Sequence, residues 1–136
     1  MTLHPAVARD VIEREAETVR LRFGDLLNAV VVDGSYVYLE PRSWDGRWLR
    51  LDGAEYDQRP FRIAVVDGDM QPLPGPQWPG HLHYGQHPLL KVPWACIRGT
   101  YEYHSYPGHA AEVWDQFRPT LRMRHLVSHI LRKAAT

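Results

Sequence analysis

The sequence predicts an α+β fold in which a helix at each end brackets an antiparallel meander. Three observations carry that reading. Apolar residues recur at helical spacing near both ends of the chain. Asp-Gly dipeptides punctuate the first half at short intervals, between runs that are apolar or alternating. A proline-rich stretch then separates the meander from the C-terminal part. At 136 residues the length fits a single domain over residues 1–136, with enough chain to bury a core.

Residues 5 to 22 form the first predicted helix. Val7, Val11, Ile12, Ala16, Val19 and Phe23 line one stripe between Arg and Glu residues, and Gly24 follows where helices commonly stop. Leu26 to Val32 reads as a strand, closed by the turn signal Asp33-Gly34. Ser35 to Leu39 alternates, with Tyr36 and Tyr38 on one face. Arg47 to Leu51 lies between Asp45-Gly46 and Asp52-Gly53, and Phe61 to Val66 ends at Asp67-Gly68. That makes a meander of about four strands, its aspartates serving turns rather than chemistry. From Met70 to Pro93, six prolines and three glycines leave little room for a ladder or a helix. The prediction there is an ordered, extended loop over the sheet edge, with Trp78 buried. Arg118-Pro119-Thr120 supplies a stop and an N-cap, and Leu121 to Ala134 is the closing helix, striped by Met123, Leu126, Val127, Ile130 and Leu131. His125 and His129 share a face of that helix and read as solvated.

Formal charge is zero and the pI is about 7.1, so no basic footprint for nucleic acid or an anionic membrane is present. No apolar run approaches the roughly 20 residues of a bilayer span. The first ten residues lack the basic-then-apolar pattern of a signal peptide. A single cysteine makes no internal disulfide, and the expected setting is a reducing cytoplasm.

Chemistry concentrates between Trp94 and Trp114. Cys96, Glu102, His104 and His109 fall within fourteen residues, and a thiolate, a carboxylate and two imidazoles are donors that a four-coordinate zinc ion accepts. If the piece is extended, Glu102 and His104 share a side. Pro107-Gly108 can then turn His109 back toward His104, and Gly99 can return the chain past Cys96. Glu102 is the donor water would replace most readily. For Cys96 three readings stay open: a buried structural thiol, a metal ligand, or a nucleophile forming a thioester. A redox role lacks a second cysteine to resolve it.

Cys96, Glu102, His104 and His109, in that order, resemble the signature of the predicted metal-binding CEHH proteins, small bacterial proteins encoded beside ubiquitin-like modifiers and their activating and conjugating enzymes. The similarity covers residues 87 to 131. The element order, with His87-Pro88 before Cys96 and a tryptophan after it, also resembles the scaffold of ubiquitin-conjugating enzymes. Leu89 stands where that family has an asparagine after His-Pro, and Trp114 is displaced to eighteen positions beyond Cys96. The resemblance implies a metal-binding accessory of a bacterial ubiquitin-like conjugation pathway. Its partners would be the modifier or its activating and conjugating enzymes, and Cys96, Glu102, His104 and His109 would hold zinc. It also implies an alternative, a conjugating-type enzyme carrying a modifier as a thioester on Cys96, with His87 and the proline-rich loop shaping the site. His87 is also the candidate general base if the metal site is catalytic, and a third reading is a non-catalytic module that docks a partner through its tryptophans and tyrosines.

Overall fold

The computed structural model describes residues 4–136. Helix α1 (Pro5–Phe23) opens the chain, with Pro5 in its first turn and the His4 Nδ1 accepting from the Ala6 N–H. Ile12, Ala16 and Val19 are buried on it. Val7, assigned to the same stripe from sequence, is half exposed.

Four strands follow, β1 (Leu27–Asp33), β2 (Tyr36–Pro41), β3 (Trp48–Asp52) and β4 (Arg62–Val66), antiparallel in the order β1-β2-β3-β4. Each lies within a residue or so of its sequence-predicted bounds. The turn aspartates work as expected: Asp67 Oδ1 accepts from the Asp69 and Gln71 N–H groups and Asp52 Oδ1 from Ala54 N–H. Gly34 and Gly46 occupy the left-handed region that the first two turns require (φ 61° and 82°). Register sets the two faces. Val37, Leu39, Leu49, Leu51, Ile63 and Val65 alternate inward to the core with α1, while Tyr36, Arg50, Asp52, Arg62 and Ala64 share the outer face.

Both edge strands are met by side chains. On β1 the Arg20 Nη2 donates to the Val30 carbonyl at 3.0 Å. On β4 the Glu102 Oε1 accepts the Ile63 N–H at 2.8 Å, and the proline-rich segment runs alongside, with Leu73 N–H donating to the Val65 carbonyl. That segment buries Trp78, as expected, and Trp78 Nε1 donates to Leu73 O. It also contains a two-residue ribbon, β5 (Gly85–Gln86) with β6 (Pro93–Trp94).

Beyond Cys96 come two short helices, α2 (Tyr101–Ser105) and α3 (Trp114–Phe117), and then α4 (Met123–Ala134) packed beside α1. The N-cap of α4 is Arg122 rather than Thr120: the His125 Nδ1 reaches back to the Arg122 N–H at 3.0 Å. Thr120 instead directs its hydroxyl to the Phe117 carbonyl. Arg122 also clamps three parts of the chain. It pairs with Asp57 at 2.7 Å and with Glu15 of α1, and Glu15 Oε1 further accepts the Tyr56 hydroxyl and the Met123 N–H. This cluster was not legible in the sequence, since its members lie up to 108 positions apart. Among the described residues, no helix is long and apolar enough to cross a membrane.

Candidate functional site

The local conformation of the Trp94–Trp114 segment decides how its donors are distributed. Thr100 caps α2, its Oγ1 accepting from the Tyr103 N–H at 3.1 Å. The extended reading of Glu102 and His104 is therefore replaced by a helical turn. Two residues on an extended chain share a side, but two residues on a helix are about 200° apart. Glu102 consequently faces β4, whereas His104 faces the chain that returns through Glu112.

Glu102 is 1% exposed. Its Oε1 holds the Ile63 N–H, and its Oε2 is buried with no hydrogen-bond partner, the nearest cation being Arg62 Nε at 3.9 Å. Burial pushes its carboxyl up to about 7, against the pull of the Ile63 N–H and Arg62.

His104 and His109 lie on the other side, around Tyr103. Carbonyl oxygens only accept, so the contacts of His104 Nδ1 with Glu112 O (2.8 Å) and His109 Nδ1 with Tyr103 O (3.1 Å) place the proton on Nδ1 of each neutral ring. The Nε2 lone pair of His104 receives the Gly99 N–H at 3.1 Å. Half-burial lowers the His104 pKa. The turn Pro107–His109 brings His109 onto Tyr103, ring stacked at 3.8 Å. Glu112 completes this face. It accepts the Tyr103 hydroxyl at 2.7 Å and pairs with Arg98 at 2.7 Å, and the Tyr103 hydrogen bond, with Arg98, holds its carboxyl below the usual range. The sequence reading passed over Glu112, although it lies three residues beyond His109.

Cys96 is part-buried, and burial raises its thiol pKa; Lys133 at the end of α4 pulls the other way and Glu112 adds to the rise. His87 is fully buried. Its Nδ1 accepts from the Leu89 and Leu90 N–H groups, both at 3.1 Å, and its Nε2–H donates to the Glu102 carbonyl at 2.8 Å. Both ring nitrogens are thus committed to the main chain, and the ring has no lone pair left to take a proton.

Measured against a zinc site, His109 fits and His104 fits only in part. A ligating imidazole usually donates its other N–H to a carbonyl or carboxylate, and both rings do so here, but the Nε2 lone pair of His104 is taken by the Gly99 N–H. The set of four does not come together: among the described residues, no three His, Cys, Asp or Glu side chains are grouped to hold a metal, and α2 turns Glu102 away from His104. Compared with family models and with curated proteins, the chain matches none.

Proposed function

We propose that this chain is a non-catalytic accessory protein of a bacterial ubiquitin-like conjugation pathway, on a scaffold resembling that of conjugating enzymes. The pathway comes from the resemblance of residues 87 to 131. The non-catalytic role is carried by one observation, the condition of Cys96. Its thiol is favoured over the thiolate by burial, and His87, the nearest residue the motif offers as a base, has both nitrogens hydrogen-bonded to backbone. A thioester-forming cysteine needs the reverse, a lowered pKa or an adjacent free base. The test is incubation of the protein with the modifier, its activating enzyme and ATP. Co-purification with a pathway protein and no thiol-sensitive adduct is expected. An adduct that disappears in Cys96→Ser would overturn the proposal.

A second reading, zinc binding, is favoured by the tautomers of His104 and His109. His109 would hold the ion through Nε2 and His104 would do so once its Nε2 released the Gly99 N–H, with Glu112 on that face and Cys96 as further donors. Bound there, zinc would tie the Pro107–His109 turn to the chain around Gly99, a structural role. Elemental analysis after purification without added metal should then give near-stoichiometric zinc, lost in His104→Ala and in His109→Ala and kept in Glu102→Gln. Metal-free wild-type protein that stays folded would remove this reading and leave the first intact.

A further inference from the structure

The outer face of the sheet carries a cavity that the donor cluster does not account for. It measures about 240 Å³ and lies between β3, β4 and the proline-rich segment, lined among others by Arg50, Asp52, Arg62, Trp78, Pro93 and Glu102. Cross-strand register explains the lining, because Arg50 pairs with Ala64 and Asp52 with Arg62, which puts all four on one face.

Two buried polar atoms in this wall have no partner, the Glu102 Oε2 and the Arg50 Nε. Buried polar groups are almost always satisfied, so each orphan asks for an explanation. Arg50 is held in place by its guanidinium lying over the Tyr36 ring at 5.2 Å and Glu102 by the Ile63 N–H. Each is thus engaged by a contact elsewhere on the side chain while its buried atom stays without a partner. An occupant that satisfies both must present a donor to Glu102 and an acceptor to Arg50. The volume is below the roughly 300–1,000 Å³ of sites for drug-sized ligands, so that occupant is small. With two carboxylates and two guanidiniums in the wall, no net charge selects an anion or a cation alone. Trp78 and Pro93 offer an apolar surface for whatever remains.

From these constraints we infer that the cavity binds a small zwitterion of the α-amino-acid class, its ammonium on Glu102, its carboxylate on Arg50 and its apolar side chain against Trp78. A buried ammonium–carboxylate contact and a carboxylate–guanidinium contact are charge-assisted hydrogen bonds, about twice as strong as neutral ones. The proposal uses the face of α2 opposite the histidines and does not depend on the pathway or the zinc reading.

The experiment is calorimetric titration of the intact, EDTA-treated protein with glycine, L-alanine, L-valine, L-leucine and L-proline. Isovalerate and isobutylamine, the two halves of valine, serve as controls. Saturable binding of at least one amino acid is expected, weakened about tenfold or more when either charged group is missing or in Arg50→Met and Glu102→Gln. The Arg50 Nε–H resonance of wild-type protein gives a readout independent of how the variants fold, and should shift on binding as it gains an acceptor. No binding by any of the five with no movement of that resonance overturns the proposal. Isovalerate binding as tightly as valine overturns it too, since that would show an adventitious carboxylate on arginine.

Discussion

Replacing Glu102 with glutamine tests the placement of that side chain most directly. Its carboxyl is pushed up from an ordinary 4.5 to about 7, chiefly by burial. Between those values the folded state binds more protons than the unfolded one, so stability falls as pH rises and levels off above about 7. A difference of 2.5 units at 1.36 kcal/mol each sets the loss at about 3 kcal/mol. Glu102→Gln keeps an oxygen for the Ile63 N–H and has no charge to desolvate. The stability difference, variant minus wild type, should therefore grow from near zero around pH 4.5 to as much as about 3 kcal/mol near pH 8. The full value is an upper figure, because the new amide NH2 would face Arg62 Nε at the 3.9 Å now separating it from Oε2. Urea unfolding followed by tryptophan fluorescence in EDTA gives both curves. A difference that is flat with pH, or a variant less stable than wild type near pH 8, would refute the reasoning and restore Glu102 as a charged ligand.

Glu102→Ala, in contrast, strands the Ile63 N–H and should destabilise by about 1–3 kcal/mol near pH 4.5, a deficit that shrinks as pH rises because alanine has no carboxyl to desolvate, measured by the same unfolding curves. Arg122→Ala removes the cation that joins Glu15 to Asp57 and should cost about 2–4 kcal/mol by urea unfolding, toward the low end because the pair is part-exposed. Thr100→Ala deletes the cap of α2 and should cost about 1 kcal/mol, with amide exchange accelerating first at Tyr103. Cys96 should alkylate with iodoacetamide more slowly than free cysteine near neutral pH, since burial holds it as thiol; faster alkylation would undermine the non-catalytic proposal.

The regular elements were legible because each repeats its signal. The stripe of α1 runs over five turns, and Asp-Gly dipeptides mark four turns in and after the meander. The donor segment was legible in composition but not in shape. Tyr101 and Tyr103 alternating with Glu102 and His104 suggest a strand, and five residues are too few to display a helical period against it. The one local sign of α2 was Thr100, a capping residue three positions before the Tyr103 N–H that it accepts. A similar oversight moved the start of α4, where a histidine does what a threonine was expected to do. The cavity had no sequence signature, because its wall joins residues from 50 to 102 through cross-strand register and a loop that follows no period.

The two ends of the sheet have a consequence for how this protein keeps to itself in concentrated solution. A strand edge recruits another strand by offering donors and acceptors in turn, each arriving amide passing the pattern on. Arg20 at the Val30 carbonyl can only donate, and Glu102 at the Ile63 amide accepts through an oxygen on a side chain. Neither side chain hands on a main-chain group for a newcomer to match, and on β4 the proline-rich segment already takes the Val65 carbonyl. A side-chain donor thus stops one edge and a side-chain acceptor the other, and Arg20→Ala, which uncovers the Val30 carbonyl, should form fibrils sooner than wild type.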